Sequence, residues 1–175
     1  MTKGGVLSPV IISFPGQIKP GTRSDSLATV MDLLPTFLDV AQHKHPGNQY
    51  EGREVVEPLG ASLMPVLSGL ASEVHGQDHV FAMEIFDRRM LQKGKWKIVW
   101  HNPPWGKDRA WELYDLEADP TELEDLSDDR PEVLAMMKSE WVDYVDRVGM
   151  IPNSGYVLPI GATDSHYKWL PPDLR

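Results

Sequence analysis

The amino-acid sequence has no cysteine among its 175 residues. Disulfide bridges, thiolate metal sites and a cysteine-derived nucleophile are therefore excluded within this polypeptide. No apolar run approaches the roughly 20 residues that a membrane-spanning helix requires. The opening residues, MTKGG, carry one charged side chain and no long apolar segment, so they do not resemble a secretory signal. We therefore expect a cytoplasmic location, unless a longer parent protein carries its own signal.

Positive charge is scarce as well. The chain has 17 Lys and Arg residues against 26 Asp and Glu residues, which gives a formal net charge of −9. Such an acidic chain is unsuited to bind nucleic acid or an anionic membrane nonspecifically, so we expect neither as a partner. The hydrophobic share of 41% is ordinary for a globular protein, and the length suffices for a real core.

The C-terminal half is organised around residues 110–126, AWELYDLEADPTELEDL. Residues 111–116 have the apolar content of a short strand. Residues 119–122, DPTE, predict the turn that ends it, because Pro120 presets φ and Asp119 can accept hydrogen bonds from the neighbouring backbone. This segment should therefore join a sheet that precedes it to a helix that follows it.

The elements around this segment predict a small antiparallel sheet covered by a helix. Residues 76–85 contain a strand, and residues 88–94 and 95–101 have the pattern of a hairpin. Residues 131–148 predict one amphipathic helix, and Gly149 stands where a C-terminal cap belongs. The apolar stripe of this helix consists of Val133, Met137, Trp141, Val145 and Val148.

The N-terminal half predicts a strand and a helix that belong to a different sheet. Residues 6–14, VLSPVIISF, suit a strand buried on both faces, as in a parallel sheet. Residues 31–41 predict a helix with Asp32 as its N-cap. The apolar side chains of this helix, which should face a core, are Leu34, Phe37, Leu38 and Ala41. A polar loop follows at residues 42–58.

The whole chain therefore predicts an α+β fold in three parts. The first part, residues 1–75, holds the strand, helix and loop just described. The second part, residues 76–151, holds the antiparallel sheet and its helix. The third part, residues 152–175, is rich in proline and has no periodicity, so it predicts an extended tail.

Four histidines are possible metal ligands. His43 and His45 lie in the polar loop without a third ligand nearby, so we expect solvated side chains. His75 and His79 have the spacing of a zinc pair on a helix, but Gly76 and the strand that follows argue against a helix there. We therefore predict no metal site at either pair.

Carboxylates offer two further candidates. Asp115, Glu117 and Asp119 resemble the start of a calcium loop, but Pro120 and Leu126 stand where an EF-hand needs Gly and Glu, so we reject this site. Acid–base pairs arise by chance among 26 carboxylates, so we expect such pairs to be solvated surface. The pairs considered are Glu84 with Asp87 and Glu54 with Glu57.

A basic run stands out in this acidic chain. Its members are Arg88, Arg89, Lys93, Lys95 and Lys97. One interpretation is that outward-facing cations protect the edge of the hairpin against pairing with another chain. The other interpretation is a rim that attracts an anion. Ser13, Ser24 and the other serines lack the pattern of a nucleophile elbow, so the chain offers no complete catalytic apparatus.

Five segments resemble, in the same order, the pattern of bacterial arylsulfatases of the sulfatase family. They are KGGVLSPVIISFPG, ATVMDLLPTFLDVA, HPGNQYEGREVVEPLGASLMPVLSG, QKGKWKIVW and ELYDLEADPTELEDL. The last resembles the family signature ELYDL-x-x-DP-x-E-x-x-(N/D)-L, and the resemblance extends over residues 2–151. It implies the C-terminal portion of an alkaline-phosphatase-like α/β protein. That portion has an antiparallel sheet of about four strands with a packed helix, and residues 1–75 would be a remnant of the large domain.

The same resemblance implies a chemistry that this chain does not carry by itself. In the family, a formylglycine made from the Cys or Ser of a C/S-x-P-x-R motif attacks sulfur, and calcium neutralises the sulfate oxygens. No such string occurs here, and residues 62–65, SLMP, do not fit it. Lys3 occupies a position that the family usually fills with Glu or Gln, so it is not taken as the sulfate-binding lysine. No catalytic, metal-binding or substrate-binding residue is therefore assigned.

Three functions fit these observations. The chain is a fragment or truncated form of an arylsulfatase that is inactive alone, a subunit of a split sulfatase that works with a separate N-terminal half, or a non-catalytic binding and assembly module. The strand at residues 6–14 has no evident sheet to join. We therefore expect it to pair with a second copy in a homodimer or to be covered by residues 152–175.

Overall fold

The structure, a computed structural model, describes residues 2–85, 88–101 and 110–149. The predicted tail at residues 152–175 lies outside the described residues. The helices and strands are, in chain order, α1 (Lys3–Val6), α2 (Leu33–Val40), β1 (Gln49–Tyr50), β2 (Arg53–Glu54), α3 (Met64–Leu67), β3 (Val80–Ile85), β4 (Arg88–Lys93), β5 (Trp96–Trp100), β6 (Trp111–Asp115) and α4 (Pro131–Val148). Among the described residues, no helix is long and apolar enough to cross a membrane.

These elements fall into two compact units. Residues 9–77 form one of them, which we call the α2 unit. Residues 2–8 and the described residues from Asp78 onward form the other, which we call the sheet unit. The three-part division suggested by the sequence, with boundaries after residues 75 and 151, stays a prediction.

Four strands of the sheet unit pair in the order β3-β4-β5-β6, and each neighbouring pair is antiparallel. β4 and β5 form the predicted hairpin, which turns at Gly94 with a φ of 55°. A continuous row of buried side chains crosses the sheet, formed by Ala82, Leu91, Ile98 and Leu113. The small antiparallel sheet that the sequence predicts is therefore confirmed.

Helix α4 has the bounds that the sequence predicts, and it covers one face of this sheet. Met137, Trp141 and Val145 stand four residues apart and are buried in the core that includes Ile98. The helix ends at Gly149, whose φ of 63° is the left-handed conformation of a C-terminal cap. Sheet and helix together make the predicted α+β fold.

The opposite face of the sheet is buried as well. Met90, Val99 and Tyr114 form a second apolar cluster there, and Val6 at the end of α1 packs against it. Both faces of the central strands are therefore covered, which explains why β5 is buried over four consecutive positions.

The strand predicted at residues 6–14 is wrong. Lys3–Val6 is a helical turn, and residues 7–14 adopt no strand. A strand must satisfy its backbone groups with a neighbour, and among the described residues no strand pairs with this segment. Its apolar side chains consequently lie on the surface, with Ile11 97% exposed.

The α2 unit begins its helix differently from the prediction. A 3₁₀ turn, Val30–Asp32, leads into α2. Thr29 Oγ1 accepts a hydrogen bond from Met31 N at 3.2 Å, and Asp32 Oδ2 accepts one from Thr29 N at 2.6 Å. Thr29 is therefore the N-cap of a capping box at the 3₁₀ turn. Asp32 stands at the N-cap position of α2, as predicted, but its side chain caps no amide of α2 and is the returning carboxylate of that box.

The faces of α2 also differ from the prediction, although Leu38, one of the four apolar side chains expected to face a core, is partly buried. Leu34 and Phe37 should face a core, yet they are 49% and 64% exposed. The side chains turned inward are the polar Asp32 and Thr36, which are buried. Hydrogen bonds explain this orientation, because Thr36 Oγ1 accepts from Leu63 N at 2.8 Å. A polar face therefore attaches α2 to its unit, and an apolar face is left on the surface.

Candidate functional site

Asp115, a carboxylate of the signature segment 110–126 that the sequence singles out, is bound by protein groups. Its Oδ2 lies 2.6 Å from Lys95 Nζ, and its Oδ1 accepts hydrogen bonds from the amides of Glu117 and Ala118. The Lys95 ammonium contributes most, and together with these two amides it holds the pKa of Asp115 below its usual value. Asp115 therefore ends β6 and closes the turn that follows.

Asp119 organises the next turn. Its Oδ2 accepts from Leu123 N at 2.6 Å and from Glu124 N at 2.9 Å, and its Oδ1 accepts from the amide and hydroxyl of Thr121. These hydrogen bonds, first among them that from Glu124 N, lower the pKa of Asp119. Asp119, a ligand of the calcium loop rejected above, is thus engaged by turn amides.

Glu122 forms a buried ion pair with Lys97 of β5. Nζ and Oε1 are 2.6 Å apart, and the side chains are 2% (Lys97) and 0% (Glu122) exposed. Glu122 has a φ of 59°, a left-handed conformation that costs a residue other than glycine about 1 kcal/mol or more. Lys97 and Glu122 come from two of the segments that resemble arylsulfatases, so this pair joins the two motifs physically.

The end of the signature segment is attached to the sheet in the same way. Asp125 Oδ1 accepts from Leu113 N at 3.0 Å and from Ser127 N at 2.9 Å. Leu126 packs against the main core, and its amide donates to the carbonyl of Leu113. The signature residues therefore fix a turn onto the edge strand β6, which is a structural role.

The lysines of the basic run form neither a protected edge nor an anion-attracting rim. β4 and β5 are the central strands of the sheet, so the predicted edge protection is wrong. Lys93 Nζ lies 2.5 Å from Glu140 Oε1 of α4. The other two lysines pair with the signature carboxylates, Lys95 with Asp115 and Lys97 with Glu122. The predicted anion-attracting rim is wrong for these three lysines, because a carboxylate balances each of them.

Arg89, another member of the basic run, lies on the face of the sheet that α4 covers. It is fully buried, and its guanidinium carbon lies 5.5 Å from the centroid of the Trp100 ring. This distance permits a cation–π contact. Arg89 is therefore a buried residue, which its place in a run of surface-type residues did not indicate.

The four histidines differ in how far they are exposed. His43 is exposed, and its Nδ1 lies 2.6 Å from the carbonyl oxygen of Ala41. His75 Nε2 lies 3.0 Å from Asp32 Oδ1, and these two side chains are 7% and 0% exposed. His45 and His79 are partly buried. The structure brings His75 to an aspartate, not to His79 as a zinc pair on a helix would require.

Asp32 of the α2 unit is bound by three protein groups. Besides His75, it accepts hydrogen bonds from Thr29 N at 2.6 Å and from Ala61 N at 2.8 Å. Burial raises its pKa, but the bonds from Ala61, Thr29 and His75 together outweigh burial and lower it. The pattern T-x-x-D at residues 29–32 could have revealed the capping box, whereas no sequence signal links Asp32 to a histidine 43 positions away.

A second polar group that the sequence did not single out lies on the face of the sheet opposite α4. Tyr114 Oη donates to Glu112 Oε2 at 2.8 Å. Burial, and then this hydrogen bond, raise the pKa of Tyr114. Burial lowers the pKa of His101, which lies at the end of β5. The Tyr114 phenol is therefore protonated and the His101 imidazole neutral at neutral pH.

Of the two remaining carboxylate pairs, only Glu54 with Glu57 lies wholly among the described residues. Glu54 and Glu57 are exposed, as expected for solvated surface. Asp87, the partner considered for Glu84, lies outside the described residues. In the part of the chain that the structure describes, no group of three or more His, Cys, Asp or Glu side chains is placed to hold a metal ion. The described residues therefore do not fit the calcium ion that the sulfatase resemblance implies for full-length members.

Comparison with known proteins agrees with the resemblance. A family model described as N-sulphoglucosamine sulphohydrolase, C-terminal, matches residues 1–145. An uncharacterized sulfatase of Schizosaccharomyces pombe is 37% identical over 151 residues, which cover 86% of this chain and 27% of that protein. Arylsulfatase K of Xenopus laevis is 29% identical over 162 residues, which cover 83% of this chain and 27% of that protein.

The fold has solved counterparts. A structure from the glycosaminoglycan metabolism of Bacteroides thetaiotaomicron superposes with a TM-score of 0.56 at 22% identity, over 75% of this chain and 27% of that chain. At that identity the likeness establishes the fold. The chain spans 27% of the length of these two curated relatives. Since the family model covers residues 1–145, well over half of the chain, this protein belongs to the sulfatase family and corresponds to its N-sulphoglucosamine sulphohydrolase C-terminal portion.

Proposed function

We propose that this chain is the C-terminal part of an arylsulfatase-like sulfuric ester hydrolase and that the 175-residue polypeptide hydrolyses no sulfate ester by itself. The observation that carries the proposal is its coverage of the relatives, which is 27% of the fission yeast sulfatase and 27% of the frog arylsulfatase K. The sequence lacks cysteine and the C/S-x-P-x-R string, so the nucleophile would have to come from the part that this chain does not span.

The arrangement of the carboxylates supports the same proposal. Asp115, Asp119, Glu122 and Asp125 are engaged by lysines or by backbone amides that hold the fold together. A residue that binds calcium would need oxygens free of such partners. The formylglycine and calcium of a full-length sulfatase would supply the attack on sulfur and the neutralisation of the sulfate oxygens. The role of this chain would be to complete the fold around them.

A split enzyme is the second candidate. In that case a separate polypeptide carries the nucleophile and the metal ligands, and this chain binds it. The observation that favours this candidate over a self-sufficient binding module is the apolar face of α2, where Phe37 is 64% exposed. A self-sufficient module would be expected to bury such a face within its own core.

Enzyme assays test the proposal directly. The purified chain should show no turnover of an aryl sulfate with or without added calcium, and calcium-dependent turnover would contradict the proposal. The chain should then be mixed with the part of the Schizosaccharomyces pombe sulfatase outside the matched region, produced with its modified nucleophile. Turnover above that of either component is the expected result. A complex that forms without any gain in turnover would argue for a non-catalytic assembly module.

A further inference from the structure

Helix α2 carries a continuous apolar stripe on the surface of the protein. The stripe begins in the turn before the helix, and its members fall at spacings of three and four residues. They are Val30, Leu33, Leu34, Phe37 and Val40. Val30 is 83% exposed and Phe37 is 64% exposed. Residues at these spacings share one side of a helix, so the stripe is a single surface rather than scattered side chains.

The opposite side of α2 is fixed by polar contacts and by close backbone packing. Thr36 Oγ1 accepts from Leu63 N at 2.8 Å, and Asp39 Oδ2 accepts from the hydroxyl of Ser62 at 2.6 Å. A Cβ atom added to Gly60 would lie 2.2 Å from the carbonyl oxygen of Met31, so the loop touches the helix backbone there. The helix therefore cannot rotate to bury its apolar stripe without losing these contacts.

This arrangement is the inverse of an ordinary surface helix. A helix of a self-contained domain turns its apolar side to the core and its polar side to water. Asp32 of the preceding turn and Thr36 of α2 are buried and Leu38 is partly buried, whereas the exposed side carries aliphatic residues and a phenylalanine. Contiguous apolar surface of this kind marks a contact with another protein surface.

We infer that the stripe on α2 docks against an apolar face of the part of a sulfatase that this chain does not span. The inference rests on the proposed function. It names the surface through which the chain would complete that enzyme. The occupant follows from the comparisons, because the matching family model describes a C-terminal portion and the relatives are almost four times as long as their match to this chain. A flat layer of apolar side chains, as on a sheet or a helix layer, is the surface such a stripe fits.

A second copy of the chain is a poorer occupant of this surface. α2 has eight residues, so it is about 12 Å long. Two such stripes facing each other would bury much less than the roughly 1,200 Å² of total surface that a specific stable interface needs. A large partner can add contacts beyond the stripe.

Binding measurements with charged variants test the inference. The probe is the part of the Schizosaccharomyces pombe sulfatase outside the matched region, and that protein's own C-terminal part is the positive control for a folded probe. Phe37→Glu and Leu34→Glu should each weaken binding of this chain about 30-fold or more, because they place a charge inside the contact. Leu123→Glu is the matched control. Leu123 is 86% exposed in the sheet unit and should change the dissociation constant by less than about threefold.

The outcomes separate the docking surface from the proposed function. Loss of binding in Phe37→Glu together with an unchanged unfolding midpoint supports the inference. It does so even if the complex shows no sulfatase turnover, in which case only the proposed function fails. Wild-type binding that Phe37→Glu leaves intact overturns the inference, as does failure of the wild-type chain to bind the probe.

Two further results would assign the stripe to a different occupant. If light scattering finds a dimer that Phe37→Glu converts to a monomer, the stripe binds a second copy and the inference is overturned. If a chain ending at Gly149 exchanges its α2 amide hydrogens faster than the full chain, residues 150–175 cover the stripe instead.

Discussion

The sheet unit and the α2 unit are stabilised by different kinds of contact. In the sheet unit, Trp141, Ile98 and Leu113 are fully buried in an apolar core. In the α2 unit, the described residues that are buried as a whole are Asp32, Thr36 and Leu63. Two of these three are polar, and they act through hydrogen bonds to backbone amides. The sheet unit therefore contains its own apolar core, whereas the fully buried residues of the α2 unit are mostly polar.

This contrast also separates the ways in which the two units use charge. In the sheet unit, ion pairs such as Lys97 with Glu122 fasten turns and helix to an apolar sheet. In the α2 unit, the paired side chains of Asp32 and His75 are themselves buried. Disturbing an apolar side chain should therefore be most costly in the sheet unit. Disturbing a polar one should matter most in the α2 unit.

The largest effect is expected from Trp141→Ala. Trp141 is fully buried in α4, with ring centroids 5.4 Å from Trp111 and 5.7 Å from Tyr144. Truncation of a buried tryptophan typically costs about 3–5 kcal/mol of unfolding free energy. Denaturant unfolding measures this loss. Met136→Ala on the exposed side of the same helix is the control, and an equal loss in both variants would contradict the assigned core.

The next effect is expected where the buried ion pair is broken on one side. Glu122→Gln leaves the Lys97 ammonium buried without its carboxylate, which should cost about 3 kcal/mol. The double variant Lys97→Met with Glu122→Gln removes the stranded charge and should be more stable than the single variant. A double-mutant cycle of unfolding free energies reports the coupling directly. Additive losses would show that the two side chains stabilise the sheet unit independently.

The sequence predicted the sheet unit well because its elements are encoded by local patterns. Helix α4 has a stripe at helical spacing and a glycine cap, and both are properties of neighbouring residues. The hairpin of β4 and β5 likewise follows from a glycine between two apolar runs. The order of the strands was less accessible. Whether a strand lies at the edge or in the centre of a sheet depends on which strands pair with it. A local pattern does not show this, and the lysines of a central hairpin were therefore assigned to an edge.

The α2 unit was harder to predict because its side-chain orientation depends on distant residues. Residues 6–14 have the composition of a buried strand, but a strand forms only beside a partner, and among the described residues none pairs with it. The period of α2 identified the apolar face correctly but not the direction in which it points. That direction is set by Leu63 and Ala61, more than 20 residues along the chain. The contact between Asp32 and His75 is equally nonlocal.

A smaller and pH-dependent effect is expected at Asp32, which sharpens the contrast between the units. Asp32→Asn replaces a carboxylate oxygen with an amide, so one of the buried backbone donors of Thr29 or Ala61 loses its acceptor. The expected cost to the α2 unit is about 1–3 kcal/mol. The loss should be read at the Ala61 amide by NMR, because signals of the sheet unit should remain in place.

The pH profile follows from the lowered pKa of Asp32. The ionised carboxylate is favoured in the folded state, so its contribution is complete above its ordinary pKa of 3.8 and is lost as the pH falls through the lower folded value. The Ala61 amide resonance of the wild type should therefore shift in acid below about pH 4. Asp32→Asn should abolish that titration. A wild-type resonance that stays constant through this range would contradict the assignment.

The smallest effect is expected at the other lysine–glutamate pair of the sheet unit, Lys93 with Glu140. Their Nζ and Oε1 atoms are 2.5 Å apart, much like the 2.6 Å of Lys97 and Glu122, but both side chains are 25% exposed. Water and salt screen such a pair, so Glu140→Gln should cost less than about 1 kcal/mol. The hydrogen bond from Lys93 to Glu140 raises the pKa of Lys93, and that rise should shrink in the variant. Unfolding free energies measured in low and high salt test this reason. The small loss in Glu140→Gln should fade as salt rises, whereas the loss in Glu122→Gln should persist. Equal losses in the two glutamine variants would mean that burial does not govern the strength of these ion pairs.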